Sequence, residues 1–578
     1  MKKLYKFVFL FAAGFALFAC KKGDFLGQTQ TTDLTEQAVF SDSVKTIAFL
    51  SNIYTKIGFS EDAKRFTNGG LDIASDEAEP YDNTATTPIG FANGSVDANT
   101  VSDDAYTTCY AQIRAANVFM KNVAKAPLKA ATKTEVLAEA RFLRAWYYSI
   151  LLKHYGGIPL IGDTVYNYND KVNAKRASFD QCVNYIVSEC DEAAKTLPPI
   201  QTALMYGRAS GGACLALKMR VLLYSASPLF NPVAEFASVD MPYNMAKGNK
   251  DLQKLLGHVD PSQLRWDTAA KAALAVMNMG AYQLVENNTP AGYGFQYLFT
   301  QRYNTEYIWQ VMKSNNVDLE SLYMPPSRGG KGGGFPYQEF VDAFQMADGK
   351  DIADPASNYN PNDPYTGRDP RLAYSVLRDQ SKWITNTSLT PSPINIYTVN
   401  GQGIGLDAIY AGTKTGYYGA KMLDPAAVPN SFSQTLRCIP LIRYAEVLLS
   451  YAEAINEFEG PAKAYEPIEK IRERAGLVPF TLPAGLTKDE MRKVIQHERR
   501  IELAFEGHRF WDIRRWLIGD TQNAQFTGME VQRDGAGNLK AYKRVNVRKH
   551  GFKGALYLWP LPAAEVAKST ETLQNPGY

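Results

Sequence analysis

Histidine is scarce in this sequence, and the motifs that mark common enzyme classes are missing. The 578 residues include only five histidines, none of which stands in an HExxH motif, and no serine stands in a GxSxG motif. These absences argue against a zinc protease and against an α/β-hydrolase. His497 and His508 are flanked by charged and aromatic residues, so we expect them to be hydrogen-bonded structural side chains at a helix junction.

An excess of charge of either sign is also lacking. Lys2, Lys3 and Lys6 account for the whole formal charge of +3, so the rest of the chain is neutral. Binding to nucleic acid requires many Lys and Arg side chains clustered on one face. We therefore expect no nucleic-acid partner.

Beyond the N-terminus, the sequence has no uninterrupted apolar run of membrane-spanning length. At the N-terminus, the basic segment Met1–Lys6 precedes the uncharged run Phe7–Phe18, which is too short for a relaxed transmembrane helix. We interpret residues 1–19 as a signal peptide that is removed. Leu17–Cys20 resembles the bacterial lipobox, so we expect Cys20 to carry acyl chains, palmitate among them, that anchor the mature protein. The alternative is a soluble secreted protein in which Cys20 has no role.

Cysteine is sparse, and its spacing gives no metal-binding motif. Beyond Cys20, five cysteines stand at positions 109, 182, 190, 214 and 438, without a CxxC pair. Cys182 and Cys190 would lie about 12 Å apart on one helix, which is too far for a disulfide and favours small buried side chains. A long-range disulfide stays open for an exported protein. We expect no metal site and no cofactor.

Helical periodicity dominates the first half of the chain. Residues 134–154 carry apolar side chains at helical spacing, and similar stretches lie near 35–56, 103–125, 179–197 and 211–227. A second helical block spans residues 440–518. Short links predict antiparallel helix pairs, and alanines between bulky residues are typical of tetratricopeptide arrays. The sequence thus predicts a mostly α fold with a tetratricopeptide-like scaffold.

Two stretches, residues 58–102 and 281–437, lack this periodicity and are rich in Gly, Asn, Asp and aromatic residues. We expect loops and short strands in both, and a binding subdomain in 281–437, because unstructured linkers of this length are uncommon. Asp72, Asp76, Glu77 and Glu79 cluster in the first stretch, and two carboxylates suffice for a glycosidase. We favour a solvated acidic loop there instead. Along residues 498–516 the charges alternate in sign, which predicts intramolecular ion pairs.

Aromatic residues are abundant, and several fall in the irregular stretches. Sugars pack their C–H faces on flat rings and pair their hydroxyls with polar side chains, so rings on loops beside polar residues suit a glycan. Local packing is the alternative for each ring. The candidate ligand-binding residues are Tyr81, Asn83, Tyr293, Trp309, Tyr323, Tyr337 and Trp383.

A series of short strings carries a family resemblance that runs in order to the last residue. The strings are EARFLRAWYY at 139–148, GGIPL at 156–160, GRA at 207–209, ALKMRVLLY at 216–224, SPLFN at 227–231, RDPR at 368–371, RYAE at 443–446, ERRIELAFEGHRFWD at 498–512 and QNPGY at 574–578. Together they resemble the RagB/SusD family of outer-membrane nutrient-binding lipoproteins.

The resemblance implies a helical region over residues 20–230 and a RagB/SusD region over residues 266–578. It also implies a cell-surface lipoprotein of the outer membrane that is not an enzyme. Such a protein captures oligosaccharides and passes them to a partner SusC-like TonB-dependent transporter. The alternatives are the same fold with peptide cargo, a surface glycoside hydrolase that uses Asp72, Asp76 or Glu77, and an accessory subunit without a ligand.

Overall fold

The computed structural model describes residues 35–578 apart from residues 68, 85, 103, 168, 171, 173, 174 and 430–435. The predicted signal peptide and Cys20 lie outside the described residues. The α-helices are α1 (Glu36–Phe40), α2 (Ser43–Tyr54), α3 (Thr86–Asn93), α4 (Asp104–Asn122), α5 (Ala130–Tyr155), α6 (Phe179–Ala194), α7 (Gly211–Ala226), α8 (Pro242–Met245), α9 (Lys250–Leu256), α10 (Leu264–Met277), α11 (Gly294–Thr300), α12 (Asp318–Tyr323), α13 (Gln338–Ala343), α14 (Arg371–Ser375), α15 (Tyr444–Glu459), α16 (Tyr465–Arg474), α17 (Lys488–Glu502), α18 (His508–Arg515) and α19 (Ala563–Val566).

The long helices form one continuous packed array. Helix α4 packs on α5, α5 on α6, α6 on α7, α7 on α10, α10 on α15, and α15 on α17. Fully buried alanines, among them Ala140, Ala145, Ala216, Ala273 and Ala452, lie along these helices and allow close approach of neighbouring axes. The array joins the two halves of the chain, and it confirms the predicted mostly α fold.

Local sequence signals set the ends of several helices. Ser178 caps α6, and Thr487 caps α17; each side chain accepts a hydrogen bond from the backbone N–H three residues on. The side chains of Gln181 and Glu490 return the bond to the cap residue, which completes a capping box. At the end of α5, Gly156 adopts a φ of 77°, a conformation that glycine reaches without a steric penalty.

Short strands dominate the irregular part. The strands are β1 (Ala78–Pro80), β2 (Tyr307–Met312), β3 (Gly334–Pro336), β4 (Val376–Leu377), β5 (Lys382–Trp383), β6 (Ser392–Pro393), β7 (Thr398–Val399), β8 (Gln402–Gly403), β9 (Tyr418–Gly419), β10 (Cys438–Arg443), β11 (Gln525–Arg533) and β12 (Leu539–Lys549). Strand β1 pairs with β3, β2 with β10, β4 with β9, and β5 with β6, all antiparallel. Since β1 lies in the first irregular stretch and β3 in the second, the pairing joins these two stretches.

The C-terminal part contains a long hairpin that we did not predict. Strands β11 and β12 pair antiparallel, and β12 forms the edge of a four-stranded sheet in the order β12-β11-β7-β8. The sheet therefore ties residues 525–549 to the irregular subdomain.

Buried ion pairs join the irregular subdomain to the C-terminal helices, and we call them the ion-pair seam. Its members are Arg371, Lys421, Arg443 and Arg474, with Glu306, Asp369, Glu498, Glu502 and Glu506. Burial alone would raise the pKa of Glu502, but Arg474, Arg443 and Arg371 hold it well below its usual range. Within residues 498–516, Arg499 and Arg515 both pair with Asp512, and Arg515 also pairs with Glu453 on α15. The ion pairs predicted from the alternating charges are thus confirmed.

Across the described residues, no helix is both long and apolar enough to cross a membrane. The cysteines at positions 109, 182, 190, 214 and 438 are all buried and carry free thiols, which confirms the expected small buried side chains.

Candidate functional site

The pairing of β1 with β3 presents Tyr81 at the surface of the irregular subdomain. Tyr81 follows β1 directly and is 42% exposed. The centroid of its ring lies 6.4 Å from that of Phe335 in β3, and Phe335 packs edge-on against Tyr418 in β9. A buried layer of two rings thus supports an exposed one, which leaves a ring face available to a ligand.

Polar and charged side chains surround Tyr81. Arg548 on β12 donates two hydrogen bonds to the Glu79 carboxylate, at 2.7 and 2.8 Å, and a third to Oδ1 of Asn83 at 3.0 Å. Lys414 donates to the carbonyl oxygen of Pro80 at 3.0 Å. Burial alone would raise the pKa of Glu79, but hydrogen bonds from Arg548 and Tyr337 outweigh it and lower the pKa. Glu79 therefore stays ionised and fixes Arg548 in place.

A second exposed tyrosine stands four residues before Lys414. The backbone N–H of Tyr410 donates to the carbonyl oxygen of Thr413, which closes a tight turn. Tyr410 is 65% exposed and has a φ of 71°, a conformation that is strained for a bulky residue. We call Tyr81, Asn83, Tyr410, Lys414 and Arg548 the tyrosine surface. Two exposed rings with one amide and two cationic groups suit hydroxyl-rich ligands.

Three of the predicted ligand-binding rings are buried. Trp309 and Tyr337 are fully buried, and Trp383 is 8% exposed. Trp309 packs against Tyr54, Phe142 and Trp146, and the hydroxyl of Tyr337 donates to Glu79 at 2.6 Å. A sugar cannot stack on a ring without an exposed face, so these three rings are not part of the tyrosine surface.

The other two predicted rings lie away from Tyr81. Tyr293 is half-buried and packs against Tyr297 and Tyr374. Tyr323 is largely buried, and its hydroxyl lies 3.4 Å from Oδ2 of Asp72. The structure therefore brings together Tyr81 and Asn83 from the predicted set. Tyr410, Lys414 and Arg548 were missed; a tyrosine in a glycine-rich turn was the available signal for Tyr410, whereas Arg548 depends on a hairpin that the sequence did not reveal.

Tyr323 lines a cavity of about 190 Å³ between the scaffold and the irregular subdomain, and we call it the seam cavity. Its walls come from the loop after α2, the end of β2, helix α12, strand β9 and the start of β10. Lys421 and Glu506 of the ion-pair seam also line it. Burial lowers the pKa of Lys421 to about 8.

The acidic residues of the first irregular stretch are buried, so the expected solvated acidic loop is wrong. Asp72, Asp76, Glu77 and Glu79 are each at most 4% exposed. Asp76 pairs with Arg509 at 2.8 Å and with Arg500 at 3.1 Å. Burial, together with the charges of Asp72 and Asp76, raises the pKa of Glu77 to about 8. These carboxylates serve internal hydrogen bonds and ion pairs, whereas a glycosidase must place two carboxyl groups against a bound sugar.

Among the described residues, no group of three or more His, Cys, Asp and Glu side chains is arranged to hold a metal ion.

Family models match two successive parts of the chain. The SusD family model matches residues 289–578, and a model described as starch-binding and associating with the outer membrane matches residues 24–223. The first of these matches covers half of the chain.

Three individual proteins illustrate the similarity. SusD-like protein P2 of Formosa agariphila is 36% identical over 156 residues, which make up 26% of this chain and 27% of that protein. The crystal structure of a SusD-like protein from Bacteroides fragilis has 25% identity and a TM-score of 0.74, and the match covers 94% of this chain and 99% of that one. A SusD-like carbohydrate binding protein from the same organism has 22% identity and a TM-score of 0.71, with 92% and 99% covered. These matches agree with the helix array and with the ordered strings of the sequence. The chain belongs to the RagB/SusD family of carbohydrate-binding proteins.

Proposed function

We propose that this protein is a cell-surface lipoprotein that binds a glycan on the tyrosine surface and delivers it to a partner SusC-like TonB-dependent transporter in the outer membrane. The observation that carries the glycan-binding role is the exposed ring of Tyr81, next to which Lys414 donates to the carbonyl oxygen of Pro80 and Arg548 donates to Asn83. A second exposed ring, Tyr410, stands four residues before Lys414 in the chain. Membership of a carbohydrate-binding family supports the same ligand class.

The chemistry of the tyrosine surface supports reversible binding. The rings can stack on C–H faces, while Asn83, Lys414 and Arg548 can bond to hydroxyl groups. Pairs of aromatic rings gain about 0.5–1.5 kcal/mol beyond the area they bury, and we take the same range for a sugar stacked on one tyrosine, so each ring alone binds weakly. A polymer that engages both rings gains through effective concentration, yet can still dissociate into a transporter.

Affinity gel electrophoresis tests the ligand class. Native gels that contain starch, laminarin or other polysaccharides should retard the wild-type protein on at least one of them. Tyr81→Ala should reduce that retardation, while a matched change at an exposed tyrosine elsewhere, Tyr303→Ala, should leave it unchanged. Equal retardation of both variants would place the glycan elsewhere, and calorimetry with peptide pools would then test the peptide alternative.

The anchor and the partner need a separate experiment in cells. Metabolic labelling with an alkyne analogue of palmitate should mark the wild-type protein and not the Cys20→Ala variant, which should leave the membrane fraction. The wild-type protein should copurify with a TonB-dependent transporter after mild detergent extraction. A labelled Cys20→Ala variant would contradict the assigned lipid site, and purification without any transporter would contradict the proposed partner.

A further inference from the structure

The seam cavity has aromatic walls. Phe59, Tyr323 and Phe505 line it, together with smaller apolar side chains such as Val311 and Ile439. Its volume of about 190 Å³ is below the roughly 300–1,000 Å³ that sites for drug-sized ligands occupy. The cavity therefore suits a ligand of one ring.

The charged side chains that line the cavity are of both signs, and most of them pair with one another. Lys64 lies 3.1 Å from Asp318, and Lys313 lies 3.9 Å from Asp62. Lys56 also lines the cavity and is exposed, and its ammonium group has no partner within the described part of the chain. Paired charges leave little net field for an ion, but they offer donors and acceptors to a neutral ligand with many hydroxyl groups.

Two residues that line the cavity have a strained backbone, and two others are glycines that leave the wall without a side chain. Met422 and Phe505, which both line it, have φ values of 67° and 57°, and such strain in bulky residues is found preferentially at binding sites. Gly58 and Gly419 line it as well. A Cβ atom on Gly58 would collide with Val311, and one on Gly419 would lie 3.3 Å from Cδ1 of Tyr323. Any larger residue at these positions would intrude on the walls.

The seam cavity lies behind the tyrosine surface, on the opposite face of β9. Successive residues of a strand point to opposite faces. Tyr418 packs on Phe335, whose ring in turn supports Tyr81, whereas Gly419 faces Tyr323 in the cavity. The two sites thus share one thin layer of strands but no lining residue.

We propose that the seam cavity is a second carbohydrate site, which holds a single neutral sugar ring separately from the glycan on the tyrosine surface. The sugar would place its C–H face against the half-buried rings of Phe59 or Phe505 and its hydroxyl groups near Lys56 and Asp62. This proposal extends the proposed function, since it assigns the same class of ligand, but it does not require that the tyrosine surface bind.

Saturation-transfer NMR with the full mature chain tests the proposal. The probes are the methyl glycosides of glucose, galactose, mannose and N-acetylglucosamine, with N-acetylphenylalaninamide as an apolar probe. At least one glycoside should bind the wild-type protein saturably. Ala63→Trp, which fills the cavity from its wall, should abolish this binding, and Lys56→Ala should weaken it about two- to tenfold through the loss of one hydrogen bond. Lys45→Ala, at an exposed lysine outside the cavity, is the matched control and should change nothing.

Should Ala63→Trp fail to fold, the unpartnered and exposed Lys56 still gives a variant that preserves the fold. Absence of binding by every glycoside, unchanged binding by Lys56→Ala, or saturable binding of N-acetylphenylalaninamide alone would overturn the proposal. Polysaccharide retardation without any glycoside signal would overturn it and leave the proposed function intact, while the reverse result would contradict only the tyrosine surface.

Discussion

In the ion-pair seam the side chains of Arg371, Arg443 and Arg474 are at most 2% exposed, and each contacts two or more carboxylates. On the tyrosine surface, Lys414 and Arg548 share the single carboxylate of Glu79 and remain 36% and 21% exposed. Both regions contact the irregular subdomain and use the same kinds of charged group. Their difference is that the seam saturates its charges internally, whereas the surface keeps donors and rings accessible to a ligand.

The largest effect should come from breaking the seam. Arg443→Met leaves Glu306, Glu502 and Glu506 with fewer partners, and removal of one member of a buried ion pair costs about 3–5 kcal/mol. Urea unfolding should show this loss. Lys470→Met, which removes an exposed pair with Glu466, is the control and should change the free energy of unfolding by less than about 1 kcal/mol. Equal effects of the two variants would show that the seam does not hold the subdomain.

The helical scaffold and some of its ion pairs could be predicted from the sequence. The alternating charges of residues 498–516 predicted ion pairs, and Arg499 and Asp512 form one at 3.1 Å. The helical spacing around Ala140 predicted the scaffold, because helices depend on local periodicity. The seam as a whole was not predictable, since Arg371 reaches Glu498 across 127 residues of sequence.

The candidate site was less predictable, because exposure depends on tertiary packing. Tyr81 and Trp309 both lie in the stretches of sequence that lack helical periodicity. Yet Tyr81 is exposed, whereas Trp309 lies in the main hydrophobic core. Arg548 reaches Asn83 only because β12 folds back beside β1. Composition indicated a ring-rich binding region, but the choice of rings required the fold.

A comparable loss of stability is expected from the buried ring Trp309. Trp309→Ala removes contacts with Phe142 and Trp146, and truncation of a buried Trp costs about 3–5 kcal/mol. Tyr410→Ala, at an exposed ring, should stay within about 0.5 kcal/mol of wild type. Thermal and urea unfolding of both variants provide the measurement. A stable Trp309→Ala variant that no longer binds polysaccharide would restore Trp309 to the binding site.

A further effect should appear as a dependence of the unfolding free energy on pH. The pKa of Glu77 is raised from its ordinary value of 4.5 to about 8 in the folded protein, so the folded state binds the proton more tightly than the unfolded state. Its contribution to stability is complete below pH 4.5 and declines as the pH rises towards 8, by up to about 1.4 kcal/mol per pH unit.

Glu77→Gln should therefore flatten the curve of unfolding free energy between pH 4.5 and 8. Gln keeps an oxygen that can accept from the backbone N–H of Phe505. Glu466→Gln, at an exposed carboxylate, should leave the slope as in wild type. A Glu77→Gln curve as steep as that of wild type would contradict the assigned protonation of this carboxyl group.

Removing both exposed rings of the tyrosine surface should change stability least and polysaccharide binding most. This variant therefore tests most directly the claim that the tyrosine surface is the glycan site. The measurement is calorimetric titration of wild type and of the double variant Tyr81→Ala/Tyr410→Ala with a polysaccharide that retards the wild type. Loss of two stacking rings, each contributing about 0.5–1.5 kcal/mol, should weaken binding about five- to 150-fold while the melting temperature stays constant. A double variant that binds as tightly as wild type would contradict the tyrosine surface as the glycan site.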